Sequence, residues 1–262
     1  DIPSAISSVL PAAGGKIMAS ALVSVIMPAY NSARFIRAAI KSVQEQTDPD
    51  WELVIVDGAS TDETCALVED KTRDDARIRL IRLSQRSTAA ITRNTGIQAA
   101  KGRYVAFLDS DDLWLPEKLE KQIPFMQVHK CALSFTAYKK IDEDGNAKSD
   151  SVIVPERVSY HELLLTNVIA CSTAFYDVKV LGKMYMPELR MHEDYPLWLK
   201  MLRTGHDAYG LNETLALHRI GKGTLSSNKL RAASYQWKIY REIEKLSLLK
   251  TLYCFIWYAY YG

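Results

Sequence analysis

The sequence predicts an α/β fold with a mostly parallel central sheet flanked by helices. Between residues 22 and 112, four short apolar runs alternate with segments whose apolar residues recur at helical spacing. This alternation is typical of β-α-β units. Polar residues follow three of the apolar runs, and ligands of open α/β sheets bind at the carboxyl ends of strands. We therefore expect a ligand site at that edge of the sheet.

The first half of the chain contains the clearest elements. Asn31 or Ser32 is predicted to cap the first helix, and Ser60 with Glu63 has the capping-box spacing for the second. A third helix is predicted at about 87–100, where it ends before a Lys-Gly pair. The predicted strands are LVSVIM (22–27), WELVIV (51–56), IRLIRL (78–83) and RYVAFL (103–108).

The pattern is looser after residue 112. Three regions are expected: residues 1–20 as a disordered arm or cloning remnant, residues 21–227 as the folded domain, and residues 228–262 as a basic and aromatic helical segment. The further predicted elements are a helix at 115–128, a strand at 131–141, a short helix at 160–165 and a strand at 169–175. An amphipathic helix at 192–203, a strand at 208–218 and a long helix at 228–249 follow.

Composition limits the function. Lys and Arg total 33 against 31 Asp and Glu, a net charge of +2, which does not support a nucleic-acid binder. The four cysteines are widely spaced, so neither a disulfide framework nor a zinc site is predicted. No segment has the roughly 18–20 apolar residues of a membrane span, and residues 1–17 lack the features of a signal peptide. We expect a cytoplasmic protein, either soluble or peripheral on the inner face of the cell membrane.

An acidic cluster follows the fourth predicted strand. Asp109 and Asp111 have the D-x-D spacing with which two carboxylates can share a hard cation such as Mg²⁺ or Mn²⁺. Such a cation would neutralise charge on a departing diphosphate. Asp is also common in turns, where it caps the following helix. The residues alone leave both interpretations open.

Other polar residues also have two interpretations each. Asp57 could accept a hydrogen bond from a base or ribose, or cap a helix. Arg93 could bind phosphate, or lie solvated on its helix. Glu193 and Asp194 could complement a helix dipole, or supply a general base. His218 could be a metal ligand or a structural histidine.

Five segments in order make the chain resemble the family 2 glycosyltransferases of the GT-A fold, over about residues 23–230. They are VSVIMPAYNS (23–32), IVDGASTDET (55–64), RNTGIQAAKGRYVAFLDSDD (93–112), HEDYPLWLKM (192–201) and HRIGKGTLSSNKLRAASYQW (218–237).

The resemblance implies a GT-A domain with a C-terminal helical extension and an inverting enzyme of the bacterial cell-surface polysaccharide type. Such an enzyme moves sugar from a nucleotide diphosphate sugar, usually a UDP-sugar, to a hydroxyl of a glycan or lipid-linked acceptor, with Mn²⁺ or Mg²⁺. Gly58 stands where many relatives carry a second Asp, so the preferred nucleotide is left open.

The resemblance also implies individual roles. Asp194 would be the catalytic base, and Glu193 would position the acceptor. Asp111 would be the most direct metal ligand, with Asp109 beside it and His218 as a further contact. The residues that would bind the nucleotide sugar are Pro28, Ala29, Tyr30, Asp57, Arg93, Asp109 and Ser110.

The C-terminal segment has two interpretations. Seven Lys or Arg residues between 222 and 250, against Glu242 and Glu244, precede the aromatic stretch LYCFIWYAYYG (252–262). A basic helix with aromatic residues could lie on an anionic membrane surface, which would suit a lipid-linked acceptor. Its apolar residues could instead pack on the domain or in a homodimer.

Two alternative functions are weaker. A sugar-nucleotide pyrophosphorylase would need a Gly-rich loop bearing Arg or Lys after the first strand, which PAYNSARF (28–35) does not provide. An inactive sugar-nucleotide or glycan-binding module would have no need of the acidic cluster together with Glu193 and Asp194.

Overall fold

A single mixed sheet organises the protein. The computed structural model describes residues 22–189, 191–221 and 229–261. The predicted arm and the predicted boundary between residues 227 and 228 lie outside these ranges. The strands are β1 Val23–Ala29, β2 Trp51–Asp57, β3 Ile78–Arg82, β4 Tyr104–Phe107, β5 Leu113–Trp114, β6 Leu133–Ile141, β7 Arg157–Val158, β8 Phe175–Asp177 and β9 Ala208–Arg219.

The first four strands form the parallel half of the sheet, in the order β3-β2-β1-β4. β1 and β2 are buried along almost their whole length, which explains their nearly continuous apolar sequences. Ala29 pairs in register with Asp57 at the carboxyl ends of these strands. Because the strands run in parallel, the polar residues that follow them meet at one edge, as predicted.

The other half of the sheet is mixed. β8 lies antiparallel to β4 and β6, β9 runs parallel to β6, and β5 and β7 lie antiparallel to β9. The predicted strand at 169–175 is wrong for its first part, because Cys171–Thr173 forms a turn of 3₁₀ helix and β8 begins at Phe175. Strands of two or three residues are too short to show a period of two, which is why β5 and β7 were not predicted.

Helices cover both faces of the sheet, and buried apolar residues fill each interface. α3 approaches β1 so closely that a Cβ atom at Gly96 would lie 2.5 Å from Ile26 Cγ2. The helices are α1 Ile36–Gln44, α2 Thr64–Asp74, α3 Ala89–Ala99, α4 Lys118–His129, α5 Tyr160–Leu163, α6 Val178–Leu181, α7 Asp194–Leu202, α8 Lys229–Lys238 and α9 Leu248–Tyr261.

Two predicted helix caps are wrong because their side chains have other partners. Asn31 has a left-handed backbone (φ 48°), and α1 begins at Ile36 with no side-chain cap. The Ser60 hydroxyl donates to Asp57, and α2 begins at Thr64. Asn31 and Ser60 instead connect the loops that follow β1 and β2.

The predicted helix at 228–249 is also wrong in its second part. α8 continues as a π-helical turn over Ile239–Ile243. The helix then ends, and Lys245 has a left-handed backbone with a φ of 51°. The Arg241 guanidinium donates to the Leu246 carbonyl after the break. The aromatic stretch then forms most of α9. Within the described residues, no helix has the length and apolarity needed to cross a membrane.

Candidate active site

The loops after β1, β2 and β4 form one connected rim at the carboxyl edge of the sheet. The Gly58 amide donates to the Ala29 carbonyl at 2.8 Å. The Asn31 amide donates to Ser60 Oγ at 2.9 Å. Ser32 Oγ lies 2.8 Å from Ser110 Oγ and so connects the first loop with the acidic turn. Since these bonds join segments about 30 and 80 residues apart, the rim is a product of the fold.

Asp57 and Tyr30 occupy one side of this rim. The buried Asp57 carboxylate accepts hydrogen bonds from the Ser60 amide and hydroxyl, which fix its orientation. Tyr30 is exposed, and the Arg86 guanidinium lies 4.8 Å from the centre of its ring. Pro28 is half-buried and Ala29 is buried beneath them. The Tyr30 ring and the Arg86 cation therefore offer a flat, positively charged surface to a ligand.

The acidic turn after β4 contains three aspartates in different environments. Asp112 is buried, and its carboxylate accepts hydrogen bonds from Ser172 Oγ and from the Arg219 amide at 2.8 Å. The Arg219 side chain donates to the Asp111 carbonyl at 2.8 Å. Asp112 therefore anchors the turn to β9 and to the 3₁₀ turn at Cys171–Thr173.

Asp112 also orients His218. His218 Nδ1 lies 3.1 Å from the Asp112 carboxylate, and this hydrogen bond raises the pKa of His218 to about 9. The ring also meets Tyr138 edge-on, with 6.0 Å between ring centres. Nδ1 is occupied by Asp112, so Nε2 is the ring atom left to bind a ligand.

Asp111 lies at the outer end of the turn and is exposed. Among the described residues, no side chain donates a hydrogen bond to its carboxylate. Surrounding protein atoms limit its hydration, and Asp112 and Asp109 repel its charge, so that the pKa of Asp111 rises to about 6. A cation bound nearby would offset this repulsion and stabilise the ionised form of Asp111.

Arg93 bridges the acidic turn after β4 and the start of α7. Its guanidinium donates to Asp109 at 2.5 Å and to Glu193 at 2.6 Å. The Arg93 side chain is 8% exposed, so the bridge is largely shielded from water. Arg93 thereby holds Asp109 and Glu193 at a fixed separation, which differs from the solvated helix arginine considered above.

Asp194 begins α7 immediately after Glu193. Burial and then the charge of Glu193 raise the pKa of Asp194 to about 6, and Arg93 opposes this rise. A carboxyl group with this pKa is largely ionised at pH 7 and is still basic enough to accept a proton.

A cavity of about 420 Å³ joins these groups. Its lining includes Arg93, Asp109, His218, Glu193 and Asp194, and residues 152–154 and 167–172 form much of the remaining wall. Within the described part of the chain, Asp57, Ser110 and Asp111 do not line this cavity. Asp109 and Asp194 therefore share a hollow, whereas Asp57 and Asp111 lie on the rim outside it.

Residues 24–183 match the family model described as glycosyl transferase family 2. The chain belongs to glycosyl transferase family 2. Its fold is GT-A, and it is an enzyme of the hexosyltransferase type. The family match favours this function over the pyrophosphorylase and the inactive binding module considered above.

Curated relatives share most of their length with this glycosyltransferase. The Bacillus subtilis protein TuaG, named provisionally as a teichuronic acid biosynthesis glycosyltransferase, is 43% identical over 238 residues, covering 91% of this chain and 94% of TuaG. Escherichia coli WfgD, named a UDP-Glc:α-D-GlcNAc-diphosphoundecaprenol β-1,3-glucosyltransferase, is 34% identical over 233 residues, covering 88% of this chain and 90% of WfgD.

A solved structure confirms the fold. A fragment of S. aureus TarS in complex with UDP-GlcNAc superimposes with a TM-score of 0.70 and 25% identity. The match covers 84% of this glycosyltransferase but only 64% of the TarS fragment, so this chain spans less than two thirds of that structure.

The predicted metal ligands are only partly assembled by the protein. Within the described ranges, no three His, Cys, Asp or Glu side chains converge as a metal site. One oxygen of Asp109 is held by Arg93, and His218 Nδ1 is held by Asp112. The carboxylates still suit a hard cation, because Asp111 is uncommitted and only one oxygen of Asp109 is held by Arg93. His218 can ligate the cation through Nε2 only by giving up the proton that its raised pKa retains at pH 7.

Sequence reasoning missed several residues of this site. Ser32, Ser60 and Ser172 tie the loops together, and Arg86 lies over Tyr30. Serine is ordinary in turns, so its sequence position gives no signal of these bonds. Arg86 lies in a polar stretch after β3, where an exposed arginine is the usual expectation.

Proposed function

We propose that this glycosyltransferase moves a hexose from a UDP-sugar, with inversion at the anomeric carbon, to a hydroxyl group of a lipid-linked sugar during bacterial cell-surface polysaccharide synthesis. The cavity that Asp194 lines together with Asp109 and Arg93 carries this proposal. Supporting observations are the named reaction of WfgD and the likeness to TarS with bound UDP-GlcNAc.

The rim offers a contact for each part of a UDP-sugar donor. The exposed Tyr30 ring with Arg86 provides a surface for uracil to stack, and Asp57 lies at the adjacent strand end to accept hydrogen bonds from base or ribose. From there the acidic turn continues the rim, so the diphosphate would lie near Asp109, Ser110 and Asp111. The sugar would then enter the cavity between Asp109 and Asp194.

The acceptor hydroxyl would approach from the Asp194 side. Its proton passes to the Asp194 carboxylate while its oxygen forms a bond to the anomeric carbon. The bond from that carbon to the diphosphate oxygen breaks, and UDP leaves with the electron pair. Attack opposite the departing diphosphate inverts the configuration, which requires the base and the diphosphate to lie on different sides of the sugar.

Asp111, with the remaining oxygen of Asp109, would hold Mn²⁺ or Mg²⁺, and His218 Nε2 could contact the metal or the diphosphate. The cation, when bound, neutralises charge on the leaving diphosphate. Glu193 is held by Arg93 and directly precedes Asp194, so its charge raises the pKa of the base, and it is available to position the acceptor.

A transfer assay tests the reaction. We expect sugar from one UDP-sugar of a panel to be joined to a GlcNAc-diphosphate lipid in the presence of Mn²⁺, with nuclear magnetic resonance showing an inverted anomeric centre. A product with retained configuration would contradict the mechanism. Release of free sugar without any transfer product across the panel would contradict the acceptor class.

A second prediction concerns the metal. Asp111→Ala should weaken Mn²⁺-dependent UDP binding at least about tenfold, because hard cations depend on carboxylate oxygens and the diphosphate is bound through the cation. Titration calorimetry of UDP with Mn²⁺, and with chelator, measures this. Asp144→Ala is the matched control, since Asp144 is exposed on the loop after β6. Unchanged metal-dependent affinity in Asp111→Ala would refute the metal role.

A further inference from the structure

α9 is a nearly uncharged helix at the C-terminal end of the described chain. Its sequence is LLKTLYCFIWYAYY, in which Lys250 is the one charged residue. One side packs on the protein through the buried residues Thr251 and Cys254. Phe255 also meets Trp237 of α8 edge-on, with ring centres 5.5 Å apart. A helix that is apolar on all sides is normally buried on all sides.

The opposite side of α9 is exposed. Leu249 is 81% exposed, Ile256 67% and Tyr260 77%, and Leu252 and Tyr253 lie beside them, exposed as well. The spacing of three or four residues places all five side chains on one stripe of the helix. Contiguous exposed apolar surface of this kind marks an interaction site.

Cations precede this stripe along the chain and lie in its first turn. Arg241 and Lys245 are exposed just before α9, and Lys250 lies in its first turn. The nearby carboxylates are already paired: Glu244 is buried against Arg203, and Glu242 lies 3.7 Å from Lys238. The apolar stripe therefore has a positively charged end.

The C-terminal helices attach to α5 and to the elements beside α7. α7, which begins at Asp194, is joined to α5 by a hydrogen bond from Tyr195 Oη to the Leu163 carbonyl at 2.9 Å. Tyr240 Oη donates to the next carbonyl, that of Leu164, and Tyr160 Oη donates to Glu244 at 2.6 Å. The elements that carry α9 thus contact the helices next to the predicted base.

We propose that the exposed stripe of α9 docks on an anionic lipid surface. Its fourteen residues extend about 21 Å, less than the ~30 Å hydrocarbon thickness of a bilayer, so α9 would lie in the plane of the interface. Leucine and isoleucine would enter the acyl region, tyrosine and tryptophan would lie at headgroup depth, and Lys245 and Lys250 would meet lipid phosphates.

A second copy of the chain fits this surface less well. An apolar stripe with a positive end needs an acidic rim on its partner, and Glu242 and Glu244 are engaged by cations of their own chain. An anionic membrane supplies apolar and negatively charged layers together. The proposal does not depend on which sugar is transferred, since membrane binding is measured without donor or acceptor.

Vesicle flotation with the full chain tests the proposal. The protein should float with phosphatidylcholine vesicles that contain phosphatidylglycerol, and less with phosphatidylcholine alone. Combining Leu249→Gln, Ile256→Gln and Tyr260→Gln should lower the partition coefficient about tenfold or more. Combining Lys245→Glu and Lys250→Glu should remove the preference for phosphatidylglycerol. All these side chains lie at the surface or at the edge of the stripe, and circular dichroism verifies that the variants fold.

The matched control is Val128→Gln with Val180→Gln, which removes two exposed apolar side chains from α4 and α6, with exposures of 77% and 50%. This variant should float like the wild type. Wild-type protein that floats with neither vesicle, or a triple variant that floats unchanged, would overturn the proposal. A dimer that the triple variant dissociates, with no flotation of the wild type, would assign the stripe to a second copy instead.

Discussion

Asp194→Asn is expected to lower the rate of sugar transfer by about 10²–10⁴-fold, because general-base catalysis contributes on this scale. The amide has nearly the same shape but cannot accept the proton of the acceptor hydroxyl. Donor binding should stay close to that of the wild type, since the predicted donor groups lie on the rim and at Asp109. Radiolabelled transfer and UDP titration measure the two quantities separately.

The same mechanism fixes the direction of the pH dependence. Asp194 acts as a base only when ionised, and its pKa is raised to about 6. The transfer rate at saturating donor should therefore fall as the pH decreases through about 6. Asp70→Asn, on the exposed surface of α2, is the matched carboxylate control and should keep both the rate and the profile. Near-normal turnover of Asp194→Asn would remove this residue from the mechanism.

Arg93→Met is expected to destabilise the fold by about 3–5 kcal/mol, the usual effect of removing one partner from a buried ion pair. The change leaves Asp109 and Glu193 without their shared cation in a shielded site. Transfer should also fall, since the guanidinium sets the distance between the donor side and the Asp194 side. Urea unfolding at constant pH measures the first effect.

An exposed arginine on α2 provides the comparison. Arg73 pairs with Asp70 at 3.0 Å with side chains 73% and 57% exposed, so Arg73→Met should change the free energy of unfolding by less than about 1 kcal/mol. Adding Glu193→Gln to Arg93→Met should recover part of the lost stability, because one uncompensated carboxylate is then removed. Equal effects of the two arginine substitutions would show that the Arg93 bridge is not a buried pair in solution.

The parallel half of the sheet could be predicted from the sequence because its strands are buried on both faces. β1, β2 and β4 therefore appear as continuous apolar runs, each followed by polar residues. β5 and β7, with two residues each, have no such pattern. The break at Lys245 was also beyond prediction, since lysine has no special preference for the left-handed backbone it adopts there.

The acidic turn after β4 shows most clearly what could not be predicted from the sequence. Asp109, Asp111 and Asp112 are indistinguishable as residue types, and the sequence predicts only that some of them bind a ligand. Their differences come from partners outside the turn. Arg93, 16 residues away, holds Asp109, whereas Ser172 and His218, 60 and 106 residues away, hold Asp112, and Asp111 faces the exterior. Contacts across 60 to 107 residues depend on the completed sheet, and no local spacing encodes them.

The loops of the rim are held together by the chain's own side chains, through the hydroxyl contacts of Ser32 with Ser110 and of Ser60 with the Asn31 amide. Fixing the backbone of a free loop costs about 1–2 kcal/mol per residue. Here that conformational entropy has already been lost during folding of the chain. Less of the free energy of contact with a nucleotide is then needed to order the rim, so more of it contributes to affinity. The enthalpy of association should reflect direct contacts more than any rearrangement of the rim.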